Sequence, residues 1–76
     1  MTLRRHSLTL DGHRTSVAIE DEFWEEIRRI ARERGCSVAR LVAQVDEART
    51  RDDPPPSLSS ALRLFVLAEI KACAAR

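Results

Sequence analysis

Two runs of alternating polar and apolar residues, RRHSLTL and HRTSVAIE, meet at Asp11-Gly12. That dipeptide tolerates the positive φ angles of a type I′ turn, so the two runs are expected to form a β hairpin. A two-residue turn also sets the register, with Leu10 opposite His13, Leu8 opposite Thr15 and His6 opposite Val17. Because side chains alternate across a strand, one face then carries Leu8, Leu10, Thr15, Val17 and Ile19, and the other Arg5, Ser7, Thr9, Arg14, Ser16 and Ala18. The first face needs a core; the second is free for recognition. A two-stranded ribbon is marginal by itself in water, so helices must cover the apolar side.

The rest of the chain supplies them. A first helix is expected to begin near Asp21, where acidic residues complement the helix dipole, and to end with arginines at Gly35, a residue that enters the left-handed conformation without a Cβ clash. Its apolar stripe is Phe23, Trp24, Ile27, Ile30 and Ala31. Ser37 reads as the N-cap of a second helix with the stripe Val38, Leu41, Val42 and Val45, and RTRDDPPPS ends it because prolines remove donors and restrict the residues before them. A third helix, capped by Ser57 or Ser59, runs through ALRLFVLAEIKACA. Leu62, Phe65, Val66, Ile70 and Cys73 form one stripe, while Leu64 and Leu67 lie on another side. That is more apolar surface than one small core can use, so this helix is expected to pack on a second subunit or hold a partner.

At 76 residues there is room for one domain, and a core of this size gains from oligomerisation. Cys36 and Cys73 have no CxxC spacing and are expected to be free thiols in a reducing cytoplasm. No apolar run reaches the roughly 18 residues of a membrane span, since LRLFVLAEI is interrupted by Arg63 and Glu69. Net charge is only +1, but its distribution is uneven. Residues 1–19 hold Arg4, Arg5 and Arg14 against Asp11, whereas residues 20–34 hold six acids against four arginines. A polyanion would therefore be met at the N-terminal end. No nucleophile is paired with a base, His13 reads as a turn-flanking polar residue, and His6, His13, Cys36 and Cys73 lack the close pairs of a zinc site. Catalysis, a metal and a cofactor are not expected.

The segment RTSVAIEDEFWEEIRRIARERGCSVARLVAQV, with its alternating strand, its spacing of Phe23, Ile27 and Ile30, and its Gly35-Cys36-Ser37-Val38 junction, resembles the ribbon-helix-helix domain of small bacterial and phage repressors. The resemblance covers residues 13–49, about half the chain; the preceding strand and the proline-linked third helix look like a variant of that domain. It implies an intertwined homodimer in which one strand from each copy pairs antiparallel and the ribbon enters the DNA major groove. It also implies base contacts from Arg14, Ser16 and Ala18, and phosphate contacts from the backbone amides at Ser37 and Val38. Arg14 can donate in bidentate fashion to guanine, Ser16 can donate or accept, and Ala18 can touch a thymine methyl. A helix N-terminus is a ready anion site.

The expected architecture is thus a mainly α domain with a short β ribbon. It divides into a hairpin over residues 1–20, helices over 21–34, 37–49 and 58–75, and a proline-rich linker over 50–57. Val17, Ile19, Trp24, Leu41 and Phe65 are expected in the core of a homodimer. If the hairpin forms, a dimeric ribbon grows to four strands. Either its outer strands then splay onto phosphates through Arg4 and Arg5, or the flat face serves another partner. The expected function is sequence-specific recognition of double-stranded DNA by a repressor; the alternative is an antitoxin-like module that binds a protein through the third helix or the ribbon face.

Overall fold

A computed structural model describes residues 3–75, so the expected boundaries at residues 1, 2 and 76 lie outside the described residues. Strand β1 (Leu3–Leu10) pairs antiparallel with β2 (His13–Glu20), and the register is the one the turn dictates, with Leu10 opposite His13, Leu8 opposite Thr15 and His6 opposite Val17. Asp11 and Gly12 take φ values of 50° and 81°, the double positive φ of a type I′ turn.

Three helices follow: α1 (Asp21–Arg34), α2 (Val38–Arg49) and α3 (Leu58–Ala74). Helix α1 stops at Gly35 (φ 68°), where the Gly35 amide donates to the Arg32 carbonyl at 3.1 Å and the Cys36 amide to the Ala31 carbonyl at 3.0 Å. These bonds satisfy carbonyls the helix end would otherwise leave open. Helix α2 starts three residues later, at Val38, because the Ser37 hydroxyl accepts from the Arg40 amide at 3.1 Å. Ser57 does the same for α3, accepting from the Ser60 amide at 3.2 Å.

The inner face of the hairpin closes one side of the core. Leu10, Val17 and Ile19 are buried against Ile27, Ile30 and Ala31 of α1, Leu41, Val42 and Val45 of α2, and Leu62 and Val66 of α3. Val17, Ile19 and Leu41, expected in a dimer core, are thus already buried within one chain. Trp24 and Phe65 are only half-buried. Trp24 stacks on the His6 ring with centroids 4.0 Å apart, and the Arg34 guanidinium lies 5.3 Å from the Phe65 ring centroid.

Helix α3 differs most from expectation. Leu62 and Val66 turn into the chain's own core, so the helix folds back on α1, α2 and β2. Ile70 and Cys73, expected on the same buried stripe, are exposed, because the last turns of α3 lie beside the ion-paired Glu26 and Arg29 of α1 and not its apolar stripe. Leu64 and Leu67, 62% and 51% exposed, also face outward.

Two ion pairs lock α3 in place. The Arg63 guanidinium donates to both Glu20 oxygens at 2.8 and 3.2 Å, and Arg34 reaches Glu69 at 2.7 Å. The hydrogen bonds from Arg63 hold the Glu20 carboxyl below its ordinary value. A carboxylate with a depressed native pKa contributes stability that is present above its unfolded value and lost as pH falls through the folded one. The difference in urea midpoint between wild type and Glu20→Gln is therefore expected to be largest near neutrality and to close toward pH 3. A difference that stays constant over that range contradicts the assignment.

The pleat makes a sharper prediction. Val17 faces the core and Ser16 faces solvent one residue earlier, so Val17→Asp buries an unpaired charge and removes the cooperative thermal transition, whereas Ser16→Asp keeps it. Circular dichroism melts of the two variants check this; equal behaviour contradicts the register.

Candidate nucleic-acid interface

The outward face of the hairpin is built by parity alone. Across it the register places Thr9 opposite Arg14, Ser7 opposite Ser16 and Arg5 opposite Ala18, and all six residues are exposed. The result is a strip two strands wide, polar but for Ala18, with two arginines and no carboxylate among the six. Glu20, next on this face of β2, is neutralised by Arg63 of α3. The face thus presents positive charge and hydrogen-bonding groups without an internal counter-ion.

The structure brings Arg14, Ser16 and Ala18 together on this face and adds Arg5, whose Nη1 donates to the Ser16 Oγ at 3.2 Å. It separates Arg4 from Arg5. Adjacent residues of a strand point to opposite sides, and the Arg4 guanidinium instead meets the Asp21 carboxylate at 3.1 Å, at the start of α1. The two arginines therefore do not act as a pair on one surface. The parity of Arg5 was readable from the turn; its bond to Ser16, across the ribbon and eleven residues away in sequence, was not.

Ser37 and Val38 stand at the N-terminus of α2, with Ser37 exposed and its hydroxyl occupied as the helix cap. The first-turn amides of a helix have no intrahelical acceptor, and no acidic residue stands in the first turn of α2 to use them internally. Arg40, also in that turn, is exposed. A shallow groove whose polar lining is Thr9, Asp11, Arg40, Gln44 and Glu47 separates this turn of α2 from the end of the ribbon. The helix terminus can hold an anion, and the ribbon can present donors to base edges.

Among the described residues no three histidine, cysteine or acidic side chains cluster as a metal site would need. Among them, too, no helix is long and apolar enough to cross a membrane. Both cysteines are free thiols.

The comparisons with known proteins agree with the geometry. No curated protein and no solved structure matches the chain. The family model described as the ribbon-helix-helix domain matches residues 3–70, which takes in the hairpin's first strand and most of α3 as well as the minimal strand-helix-helix unit. Domains of this family generally bind DNA in transcription regulation and typically dimerise. The paired strands, the glycine corner between α1 and α2 and the match over nearly the whole sequence show that this chain belongs to the ribbon-helix-helix family.

Proposed function

We propose that the protein is a homodimeric, sequence-specific DNA-binding repressor that regulates its own operon or phage genes. The observation that carries this reading is the outward face of the hairpin: exposed, with two arginines and no carboxylate among Arg5, Ser7, Thr9, Arg14, Ser16 and Ala18, and with Glu20 at its end paired to Arg63. The major groove, about 12 Å wide, admits the two-stranded hairpin of one chain, and in this reading the dimer does not pair β2 with its copy. Arg14 donates in bidentate fashion to guanine O6 and N7, Ser16 supplies a hydroxyl, and Ala18 leaves room for a thymine methyl. Backbone amides at Ser37 and Val38 take a phosphate oxygen and fix the register on the duplex.

Surface that one chain leaves uncovered supports the dimer. Leu64, Leu67 and Ile70 on α3 and Leu3 on β1 are large apolar side chains in water, and a 76-residue domain gains stability by covering such a patch. The same three α3 residues favour a second reading, in which that face docks a protein partner as an antitoxin does. Salt separates the two. DNA binding loses about 0.9 log unit of affinity per phosphate contact per log unit of salt, whereas docking on an apolar face does not depend on salt in this way.

Fluorescence anisotropy with the duplex upstream of the protein's own gene, against an unrelated duplex, is expected to show preference and a steep salt slope. Arg14→Ala is expected to cost about 1–3 kcal/mol on the preferred duplex and to relax the preference at one base pair, with the thermal transition unchanged. Equal affinity of wild type for both duplexes at low salt contradicts the repressor reading.

A further inference from the structure

We infer that β1 supplies a second base-reading residue: Arg5, laid across the ribbon onto Ser16, recognises a guanine of its own and is a specificity determinant, not a phosphate clamp. The inference rests on the proposal that the ribbon face binds double-stranded DNA. It goes further in assigning half of the reading face to the strand that precedes Asp11-Gly12, outside the strand-helix-helix unit.

Arg4 and Arg5 are equivalent in composition, yet the pleat sends Arg4 to Asp21 and leaves Arg5 on the face that holds Arg14 and Ser16. A side chain reaching for a flanking phosphate would extend sideways from the ribbon's rim. The Arg5 guanidinium instead lies inward, with Nη1 3.2 Å from the Ser16 hydroxyl on the facing strand. One such bond leaves most of a five-donor fork open, and fixing the fork in advance reduces the entropy lost on meeting a planar acceptor pair. Guanine O6 and N7 are that pair in the major groove.

The bond also polarises Ser16. Its oxygen accepts from Arg5 through one lone pair, so its O–H remains to donate to base acceptors such as guanine O6 or N7, adenine N7 and thymine O4, with a second lone pair still open. Arg5 sits opposite Ala18 and Arg14 opposite Thr9, so their backbones are four residues apart along the ribbon. At about 3.3 Å per residue that is roughly 13 Å, and the lean of Arg5 toward Ser16 shortens the distance between the two guanidinium groups. With base steps of about 3.4 Å, the two arginines address different base pairs within one short site. Ala18, directly across from Arg5, leaves the larger side chain room over the middle of the strip.

The test is selection of preferred duplexes from a randomised pool with wild type, Arg5→Lys, Arg5→Ala and Arg14→Ala, followed by anisotropy against salt on the selected duplex and its single-base variants. Arg5→Lys keeps the charge and loses the planar fork. It is expected to keep the salt slope while discrimination at one position, different from the one Arg14→Ala relaxes, falls by about 5- to 150-fold. If Arg5→Lys discriminates as wild type does, or if Arg5→Ala weakens all duplexes equally and lowers the salt slope by about one, Arg5 is a phosphate contact and this inference is overturned while the repressor reading stands. If wild type selects no sequence, both fall.

Discussion

A two-stranded ribbon has two faces, and in this protein only one of them can be core. Everything else is arranged around that asymmetry. The Asp11-Gly12 turn fixes which residues pair, pairing fixes which side chains share a face, and the apolar set Leu10, Val17 and Ile19 must then be covered. Three short helices do so, each ended or started by a local device: the left-handed Gly35, the Ser37 cap and the Ser57 cap. A slip of one residue in the hairpin would put Arg14, Ser16 and Ala18 inside and Val17 and Ile19 in water. The recognition face is what remains once the core has been assigned.

The third helix makes this self-contained. With β2 paired along its length by β1, and with Leu62 and Val66 of α3 filling the core beneath, the apolar face of the ribbon is covered within a single chain. The Glu20 to Arg63 clamp adds direction, because it ties α3 to the end of β2 where the ribbon enters α1. It also removes a negative charge from the edge of the face that meets the polyanion in the proposed function. Structural and functional requirements coincide at Glu20: an unpaired carboxylate there would both loosen α3 and repel phosphate.

Sequence patterns with short range were legible. The hairpin register, the bounds of α1, the cap at Ser37 and the outward set of Arg5, Arg14, Ser16 and Ala18 all follow from turn chemistry and periodicity within a few residues, whereas the cap of α3 was left between Ser57 and Ser59. What escaped was long-range or degenerate. Glu20 and Arg63 are 43 residues apart, and nothing local announces their pairing. His6 on Trp24 is a contact between β1 and α1 that nothing local announces, and it stacks on a Trp24 packed against the edge of the core. On helix α3 periodicity separated Leu62, Phe65 and Val66 from Leu64 and Leu67, but it could not show where the core ends, and Ile70 and Cys73 on the same stripe lie in solvent. The pleat separated Arg4 from Arg5, which their adjacency in sequence had grouped.

The central claim is that the hairpin's outward face meets DNA. Backbone amide shifts of the isotope-labelled protein, followed while a duplex selected by the protein itself is added, test it most directly. The account predicts the largest changes at Arg5, Ser7, Thr9, Arg14, Ser16 and Ala18, with a second group at Ser37 and Val38 and little movement at Leu64, Leu67 and Ile70. Changes centred on the outer side of α3, with the hairpin amides unmoved, would contradict it.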